Sequence, residues 1–443
     1  MAVHPIDYRY GSPEMKEVWS EENKLSKMME VEAALAQAEE EVGEIPKGAA
    51  EEIRDAGEDV TLDRVKEIEA EIHHDVMAVV RAIEENCGDE YGEYIHFGAT
   101  SNDVIDTADA LRLRESIGVI EEKLDGLVDA VLEKAREHRD TVCAGRTHGQ
   151  IGVPTTWGYK FAVWAKELDR HRERLEELKT RIEVGQMSGA VGTQAAFGED
   201  AREISERTME ILGLEEAEYP TQVIQRDRHA EYVFWLANLA TTLDKMGVNV
   251  RNMQRSEIGE VEEGFGESQV GSSTMPHKRN PIKTENVCGL ARIIRGLVDT
   301  ELRNNTLWEE RDLTNSSSER VVFAEANVLI DHLLEYSTDA VEGLGFHTDE
   351  IRENLELYDG ANMAEAVMMD LARRGMGRQH AHEQVRQAAM RVHDEDVDMK
   401  EAVLDDPEIR EYLDEDDVET LLDPDGYTGT AGERVDELVE ELS

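Results

Sequence analysis

The sequence predicts an all-α protein, and three observations carry that prediction. Apolar residues recur at alternating steps of three and four, which is the spacing of one face of a packed helix. Only nine of the 443 residues are proline and none occurs between Pro281 and Pro407, so long uninterrupted helices can form there. Runs that alternate apolar and polar residues, which would predict strands, are hard to find.

Three apolar stripes justify the long helices one by one. The first and loosest comprises Ile117, Ile120, Leu124, Leu127, Val131 and Leu132. The second comprises Phe161, Trp164, Leu168, His171, Leu175, Leu178 and Ile182. The third comprises Leu236, Leu239, Leu243, Met246, Val250 and Met253. Such heptad-like seams are typical of helices packed nearly parallel, so we expect a central helical bundle.

The length of the chain indicates more than one domain. A chain of 443 residues exceeds one simple core, and two or three domains are typical of this length. We expect an N-terminal helical domain over residues 1–97, a central helical-bundle domain over 98–350 and an acidic C-terminal helical domain over 351–443.

Composition excludes several classes of protein. The chain carries 100 acidic and 47 basic residues, a net charge of −53, and such a surface repels nucleic acid and anionic lipid. The sequence has no run of about 18 apolar residues to span a membrane, and its start lacks the layout of a signal peptide. Three distant cysteines without a CxxC pair fit reduced thiols. We therefore expect a cytoplasmic protein without nucleic-acid or membrane partners.

The acidic surface also suggests a salty solvent. Its composition resembles that of proteins from salt-accumulating halophiles, where molar salt screens charges over a Debye length of about 3 Å. We therefore expect a halophilic protein whose fold loosens in low salt.

The segment GSSTMPHKRNP, residues 271–281, carries a net positive charge in an otherwise acidic chain. It contains Ser272, Ser273, His277, Lys278 and Arg279. Asn280 followed by Pro281 predicts a helix N-cap with proline in the first helical position. Because a helix N-terminus presents free N–H groups, the loop and the helix together predict a site for a small anionic ligand.

Other glycine-rich segments supply candidate residues. In HFGATSNDVIDT, residues 96–107, His96 precedes a glycine turn, and Thr100 or Ser101 with Asp103 predicts a capping box. In GRTHGQ, His148 lies beside Thr147 among turn residues, where its imidazole would be partly accessible for acid–base chemistry.

The pair of histidines in EIHHDV is a weak candidate for a metal site. His73, His74 and Asp75 are adjacent, so they would point to different helix faces, and no HxxxH or CxxC spacing accompanies them. Phosphate-loop, dinucleotide-binding and nucleophile-elbow motifs are missing from the sequence. We therefore expect neither a metal ion nor a cofactor.

Together these residue types suit a proton transfer on an anion. A serine or a histidine could act as the base, another histidine as the acid, and a lysine could hold developing negative charge. An unassisted serine is a poor base and would need a neighbouring cation in a dry loop. The residues alone therefore leave the identity of the base open.

Six motifs in a fixed order carry a family resemblance. The segments RYGSPEM (9–15), HHDV (73–76), HFGATSNDVIDT, GRTHGQ, GSSTMPHKRNP and ERDLTNSSSERVV (310–322) follow one another along the chain. GSSTMPHKRNP resembles the signature loop of the fumarase, aspartase and argininosuccinate lyase superfamily. The full set resembles the adenylosuccinate lyases of purine biosynthesis more than their sister enzymes. Gly11 departs from the family pattern, which has a bulkier residue there.

The resemblance implies a three-domain, all-α fold whose central long-helix bundle forms the core of a homotetramer. Each active site would combine loops from three subunits. The implied reaction is a β-elimination of fumarate from adenylosuccinate, giving AMP, and from the succinyl-carboxamide ribotide, with no cofactor.

The resemblance also implies roles for single residues. Ser272 would be the base, His148 the acid, His74 an assistant and Glu285 the partner of His148. The succinyl carboxylates would be held by Lys278 and Asn280 with Thr100, Ser101 and Ser273. The nucleotide phosphate would meet Arg9, Tyr10, Ser316 and Arg320, and other polar groups would meet Gln222 and Arg311. His73, Asp75, His96, Thr147 and Arg279 would complete the substrate site.

Two alternatives stay open. Carboxymuconate cycloisomerases have the same residues in the signature loop, so the chain could act on another dicarboxylate such as carboxymuconate or argininosuccinate. Composition and periodicity alone also fit a non-catalytic helical scaffold, although a scaffold would need no histidines or lysine in its loops.

Overall fold

The structure is a computed structural model that describes residues 3–88, 90–264, 274–275, 277–395 and 397–442. The chain divides into two compact units. The first unit comprises Met1–Leu124, Arg170–Leu243 and Gly289–Glu335, and the second comprises Asp125–Asp169, Asp244–Cys288 and Tyr336–Ser443.

The N-terminal part of the first unit consists of six helices of 4 to 22 residues, most of which have a side-chain cap. They are α1 (Pro5–Tyr8), α2 (Pro13–Val18), α3 (Glu21–Val42), α4 (Ala49–Glu58), α5 (Leu62–Ile72) and α6 (Asp75–Glu84). Ser12, Ser20 and Thr61 each accept a hydrogen bond from a backbone N–H of the helix that follows, which satisfies a donor that the helix leaves free. Helix α3 ends at Gly43, whose φ of 88° is left-handed and needs no Cβ.

Long helices follow, as the apolar stripes predict. They are α7 (Ser101–Glu137), α8 (Trp157–Ile182), α9 (Ala201–Leu212), α10 (Asp227–Met253), α11 (Ile282–Asn304) and α12 (Thr314–Glu342). The three predicted stripes lie on α7, α8 and α10, and every residue in them is buried. The prediction of long helices with buried apolar seams is confirmed.

Strands are few and short among the described residues. They are β1 (Val142–Thr147), β2 (Gln150–Thr156), β3 (Val184–Gly185), β4 (Glu215–Glu216), β5 (Val261–Glu262) and β6 (Gly345–Phe346). β1 pairs antiparallel with β2, β3 parallel with β4, and β5 antiparallel with β6. The all-α prediction therefore holds, with one hairpin and two short pairs added to it.

The β1–β2 hairpin differs from the sequence prediction. The glycine-rich sequence of this segment is typical of a loop, whereas the structure forms two paired strands here. Its turn consists of His148 and Gly149, whose φ angles of 54° and 76° are both left-handed. That pair of angles gives the two-residue turn whose twist matches antiparallel strands.

The C-terminal part of the second unit is helical, as predicted. It contains α13 (Thr348–Glu356), α14 (Ala364–Arg373), α15 (Arg378–Asp394), α16 (Met399–Leu404), α17 (Glu415–Leu422) and α18 (Ala431–Leu442). Val367, Leu371, Val385, Val403 and Val418 belong to one buried cluster in this part. The domain boundaries near residues 97 and 350 stay a prediction. Over the described ranges, every helix is too short or too polar to cross a membrane.

Candidate active site

The first unit contains a cavity of about 410 Å³ that collects residues from three of the predicted motifs. Its lining includes His73, His74, Asp75, Ser101, Arg311, Ser316 and Arg320, together with Glu69, Ile105, Leu313 and Ser317. Two arginines and two histidines thus face the same space as two carboxylates. In a chain of net charge −53, such a lining is suited to an anionic ligand.

The two histidines lie at a junction between helices. His73 follows the end of α5 with a left-handed φ of 57°, and His74 precedes α6, where its Nδ1 accepts a hydrogen bond from the N–H of Met77 at 3.3 Å. The expectation that they point to different faces of one helix is therefore wrong, because the left-handed residue breaks the helix between them.

Asp75 and Arg320 join two motifs across the first unit. Arg320 Nη2 donates a hydrogen bond to Asp75 Oδ2 at 3.0 Å. Asp75 is the first residue of α6 and Arg320 lies on α12, so the contact holds the HHDV motif beside the serine-rich motif. The side chain of Arg320 remains 60% exposed, which leaves its other N–H groups accessible to a ligand.

Ser101 is positioned by the predicted cap. Helix α7 begins at Ser101, and Asp103 Oδ2 accepts a hydrogen bond from the N–H of Thr100 at 2.9 Å. Asp103 also accepts from the N–H groups of Ser188 and Gly189 at 2.7 and 3.0 Å. Burial raises the pKa of Asp103, although these hydrogen bonds oppose the rise. The carboxyl group predicted to cap this helix therefore also anchors the backbone at Ser188 and Gly189.

His96 lies in the same motif but is held by a carboxylate from α3. Its Nδ1 is 2.7 Å from Glu32 Oε1, and its backbone φ of 61° is left-handed. Burial alone would lower the pKa of His96, but the charge and hydrogen bond of Glu32 outweigh it and raise the pKa above the usual value.

Gln222 and Arg311 contact each other. Arg311 Nη1 donates to Gln222 Oε1 at 2.9 Å, and Gln222 Nε2 donates to the carbonyl of Ala190 at 2.9 Å. Both residues line a cavity of about 680 Å³ beside Trp308. Since Arg311 also lines the cavity of the two histidines, it belongs to both.

The sequence patterns did not reveal the buried arginine that holds this region together. Arg226 donates to both Asp106 oxygens at 2.8 and 2.9 Å and to Glu319 Oε1 at 2.9 Å. Burial would raise the pKa of Asp106, but the guanidinium holds it below the usual range. Arg226 thereby ties the start of α7 to the start of α12, and these helices supply Ser101 and Arg320. The local sequence QRDRH does not indicate that one of its arginines is buried.

One group of described residues has ligand atoms close enough to hold a metal ion. Atoms of His229, Glu301 and Glu319 lie within 4.8 Å of one another. Glu319 is already engaged by Arg226 and Asn315. Burial lowers the pKa of His229 to about 3 and raises that of Glu301 to about 8. We interpret the group as part of the Arg226 network.

Arg9 and Tyr10 lie elsewhere in the first unit. Arg9 is exposed at the end of α1, and the ring of Tyr10 packs against His332 with centroids 5.1 Å apart. Gly11 has a φ of 77°, and a Cβ there would lie 2.4 Å from Val328 Cγ1. The bulkier residue of the family pattern therefore cannot be accommodated in this backbone conformation.

The remaining predicted residues belong to the second unit or lie outside the described residues. Thr147 and His148 are exposed at the β1–β2 turn, as are Lys278, Arg279 and Glu285 around the start of α11, where Asn280 is half-buried. Within the described part of this single chain, no hydrogen bond or ion pair links His148 to Glu285. Ser272 and Ser273 lie outside the described residues. The roles of these residues stay predictions.

The start of α11 differs from the prediction. The helix begins at Ile282, and the carbonyl of Pro281 accepts its first hydrogen bond, from Glu285 N–H at 2.9 Å, so proline occupies the cap. Glu263, which no sequence pattern indicated, accepts from the N–H groups of Lys283 and Thr284 at 2.8 and 2.9 Å. These two amides are therefore satisfied within the chain, and an anion held here would need other donors.

Known proteins are similar to this chain in sequence and in fold. Residues 7–296 match the family model described as Lyase, and residues 360–438 match the one described as Adenylosuccinate lyase C-terminus. The chain is 56% identical to the adenylosuccinate lyase of Methanocaldococcus jannaschii, covering 100% of this chain and 96% of that protein. It is 55% identical to the adenylosuccinate lyase of Pyrococcus abyssi, covering 99% of this chain and 98% of that protein.

Solved structures extend the comparison. The 3-carboxy-cis,cis-muconate lactonizing enzyme of Pseudomonas putida superposes with a TM-score of 0.90 at 34% identity, over 99% of this chain and 98% of that one. The fumarate lyase of Mesorhizobium sp. BNC1 superposes with a TM-score of 0.89 at 31% identity, over 97% of this chain and 98% of that one. The match to the curated relatives at 55–56% identity over nearly the whole chain decides between these relationships, and the chain belongs to the adenylosuccinate lyase family.

Proposed function

We propose that the protein eliminates fumarate from adenylosuccinate, giving AMP, and from the succinyl-carboxamide ribotide of purine biosynthesis. The observation that supports a nucleotide substrate is the cavity whose lining includes Arg311, Arg320, Ser316 and the two histidines. A nucleotide phosphate adds negative charge to two carboxylates, and arginine forks and hydroxyls are groups that bind phosphate well.

The proposed mechanism divides the elimination into two proton transfers. Ser272, as an alkoxide, removes a proton from the succinyl carbon, and the electrons move into the neighbouring carboxylate as an aci-carboxylate. The carbon–nitrogen bond then breaks as His148 donates a proton to the departing nitrogen, which releases fumarate and AMP. Lys278 and Asn280 hold the carboxylates as negative charge develops.

The proposed assembly is a homotetramer in which several copies share each site. His148 and Glu285 are exposed in the single chain, which fits residues that meet partners from another copy. Large apolar side chains are also exposed on the long helices, including Phe234, Val248, Ile293, Leu302 and Val321. These side chains support the proposed assembly, because coverage by another copy would remove their apolar surface from water. We place the enzyme in the cytoplasm, where its three free thiols would stay reduced.

The experiment follows the ultraviolet absorbance of adenylosuccinate with purified protein in high KCl. Argininosuccinate and carboxymuconate serve as control substrates, because they lack the nucleotide phosphate. We expect loss of the substituted-purine signal with release of fumarate, and no turnover of either control. Turnover of carboxymuconate alone would assign the chain to the cycloisomerase reaction, and no turnover of any substrate by a folded oligomer would favour the scaffold.

A matched variant tests the base. Ser272→Ala should lower kcat by a factor of about 10³ or more while the oligomer and its melting temperature stay unchanged. Full activity in Ser272→Ala would show that another group removes the proton. Ser317→Ala is the control, since it removes a hydroxyl from the cavity lining to which no role is assigned.

A further inference from the structure

Two glutamates on one face of α3 are buried in a chain whose acidic residues are mostly solvated. Glu32 is 2% exposed and Glu39 is 0% exposed. They lie seven residues apart, which is two helical turns and therefore the same face. Their neighbours on that face, including Leu35 and Ala36, are buried apolar residues, so neither carboxyl group is placed there by a need for solubility.

The two glutamates differ in their partners. Glu32 Oε1 lies 2.7 Å from His96 Nδ1, whereas neither oxygen of Glu39 has a hydrogen-bond partner among the described residues. Burial, with smaller contributions from Glu32 and Glu44, raises the pKa of Glu39 to about 9. Glu39 is therefore protonated at neutral pH.

His96 is fixed by this contact at the start of the loop that precedes α7. Its φ of 61° and the φ of 72° at Gly98 are both left-handed, so the backbone direction here is closely defined. The charged groups that act on the imidazole are Glu32 from α3 and Asp103 from α7. Because Nδ1 faces Glu32, Nε2 is the ring nitrogen left to donate to a ligand.

We propose that Glu32 is a positioning residue that holds the imidazole of His96 through the contact at Nδ1, so that the Nε2 N–H binds an anionic group of the substrate. The proposal rests on the proposed function for the identity of the substrate. A purely structural Glu32 would instead stabilise the loop without changing the protonation of His96.

The test measures the pKa of His96 directly. Exchange of the imidazole C2 hydrogen with deuterium, followed against pH by mass spectrometry, reports the pKa of each histidine, and the tryptic peptide 82–112 contains His96 as its single histidine. We expect a pKa above 6.5 in the unmodified protein and a fall of about one unit or more in Glu32→Gln.

Two further variants serve as controls in the same experiment. Glu39→Gln replaces a neutral acid by a neutral amide and should leave the His96 pKa unchanged. Glu30→Gln removes an exposed carboxylate of α3 that pairs with Lys27 and should also leave it unchanged. A His96 pKa below 6.5 in the unmodified protein, or the same pKa in Glu32→Gln, would overturn the proposal, and the first of these outcomes needs no variant to fold.

Kinetics separate a positioning role from a structural one. In Glu32→Gln, KM for adenylosuccinate should rise about tenfold at pH 8, and kcat should change less. The deficit should shrink toward pH 6, because solvent protons then charge the imidazole again. A deficit that is equal at all pH values would contradict the proposal. If the unmodified protein turned over no adenylosuccinate, the proposed function would fail while the His96 pKa would still report on the Glu32 contact.

Discussion

Arg320 and Asp75 are 245 positions apart in the sequence, yet Arg320 Nη2 donates a hydrogen bond to Asp75 Oδ2 at 3.0 Å. The bond unites the HHDV and serine-rich motifs at the cavity and uses one N–H of a guanidinium that has five. Arg320 can therefore hold Asp75 and still bind an anion.

We predict that Arg320→Lys raises KM for adenylosuccinate about tenfold with little change in melting temperature. Lysine keeps the positive charge but loses the planar fork, so it binds a carboxylate and a phosphate together with poorer geometry. The stability effect should be small because exposed ion pairs contribute little. Steady-state kinetics and a thermal melt measure both.

The control for this prediction is Arg303→Lys. Arg303 pairs with Asp299 on the exposed surface of α11, outside the cavity. Its kinetics should match those of the unmodified protein. Equal KM values in Arg320→Lys and Arg303→Lys would show that Arg320 does not bind the phosphate.

Glu263 should control the start of α11 and thereby the segment that carries Lys278. We predict that Glu263→Ala lowers the free energy of unfolding by about 1–3 kcal/mol, because it leaves the buried N–H of Thr284 and the partly buried N–H of Lys283 without this partner. Glu263→Gln keeps one acceptor oxygen and should cost less. Denaturant unfolding measures the difference, and an Ala variant as stable as the Gln variant would contradict the capping role.

Glu39 should make stability depend on pH. The pKa of Glu39 is about 9 in the folded protein against an ordinary value of about 4.3 in an unfolded chain. The folded state therefore binds one more proton between these values, and Glu39's contribution to stability falls as pH rises, by about 1.4 kcal/mol per pH unit. It is fully present below pH 4 and lost by pH 9.

Glu39→Gln should remove this dependence. We predict that its free energy of unfolding falls less steeply from pH 5 to pH 9 than that of the unmodified protein, as measured by denaturant titrations in constant salt. Glu30→Gln is again the control and should keep the original slope. Parallel curves for Glu39→Gln and the unmodified protein would mean that Glu39 is ionised in the folded state.

The net charge of −53 should make the fold depend on salt. We predict that the melting temperature rises with KCl up to molar concentrations, because salt screens the repulsion among surface carboxylates. The test is a series of thermal melts in KCl, with sucrose at matched osmolality as the control. A melting temperature independent of KCl would remove the halophilic interpretation.

The sequence by itself determined the helical class and most of the candidate residues. Apolar residues at steps of three and four lie on one face of a helix, and packing buries that face. The local spacing was therefore enough to predict the three buried stripes correctly. Residues of the motifs HHDV and NSSSER line one cavity, and their roles in binding stay predictions.

Tertiary structure decided what depends on contacts between distant residues. Arg226 between Asp106 and Glu319, Glu263 at the amides of α11, and Glu32 beneath His96 all join segments with no local pattern in common. The identity of a residue in the sequence does not show whether an acid or an arginine is buried, because burial depends on the neighbours that the whole fold brings together. The helices follow from local periodicity, whereas the protonation and orientation of the groups around the site follow from packing.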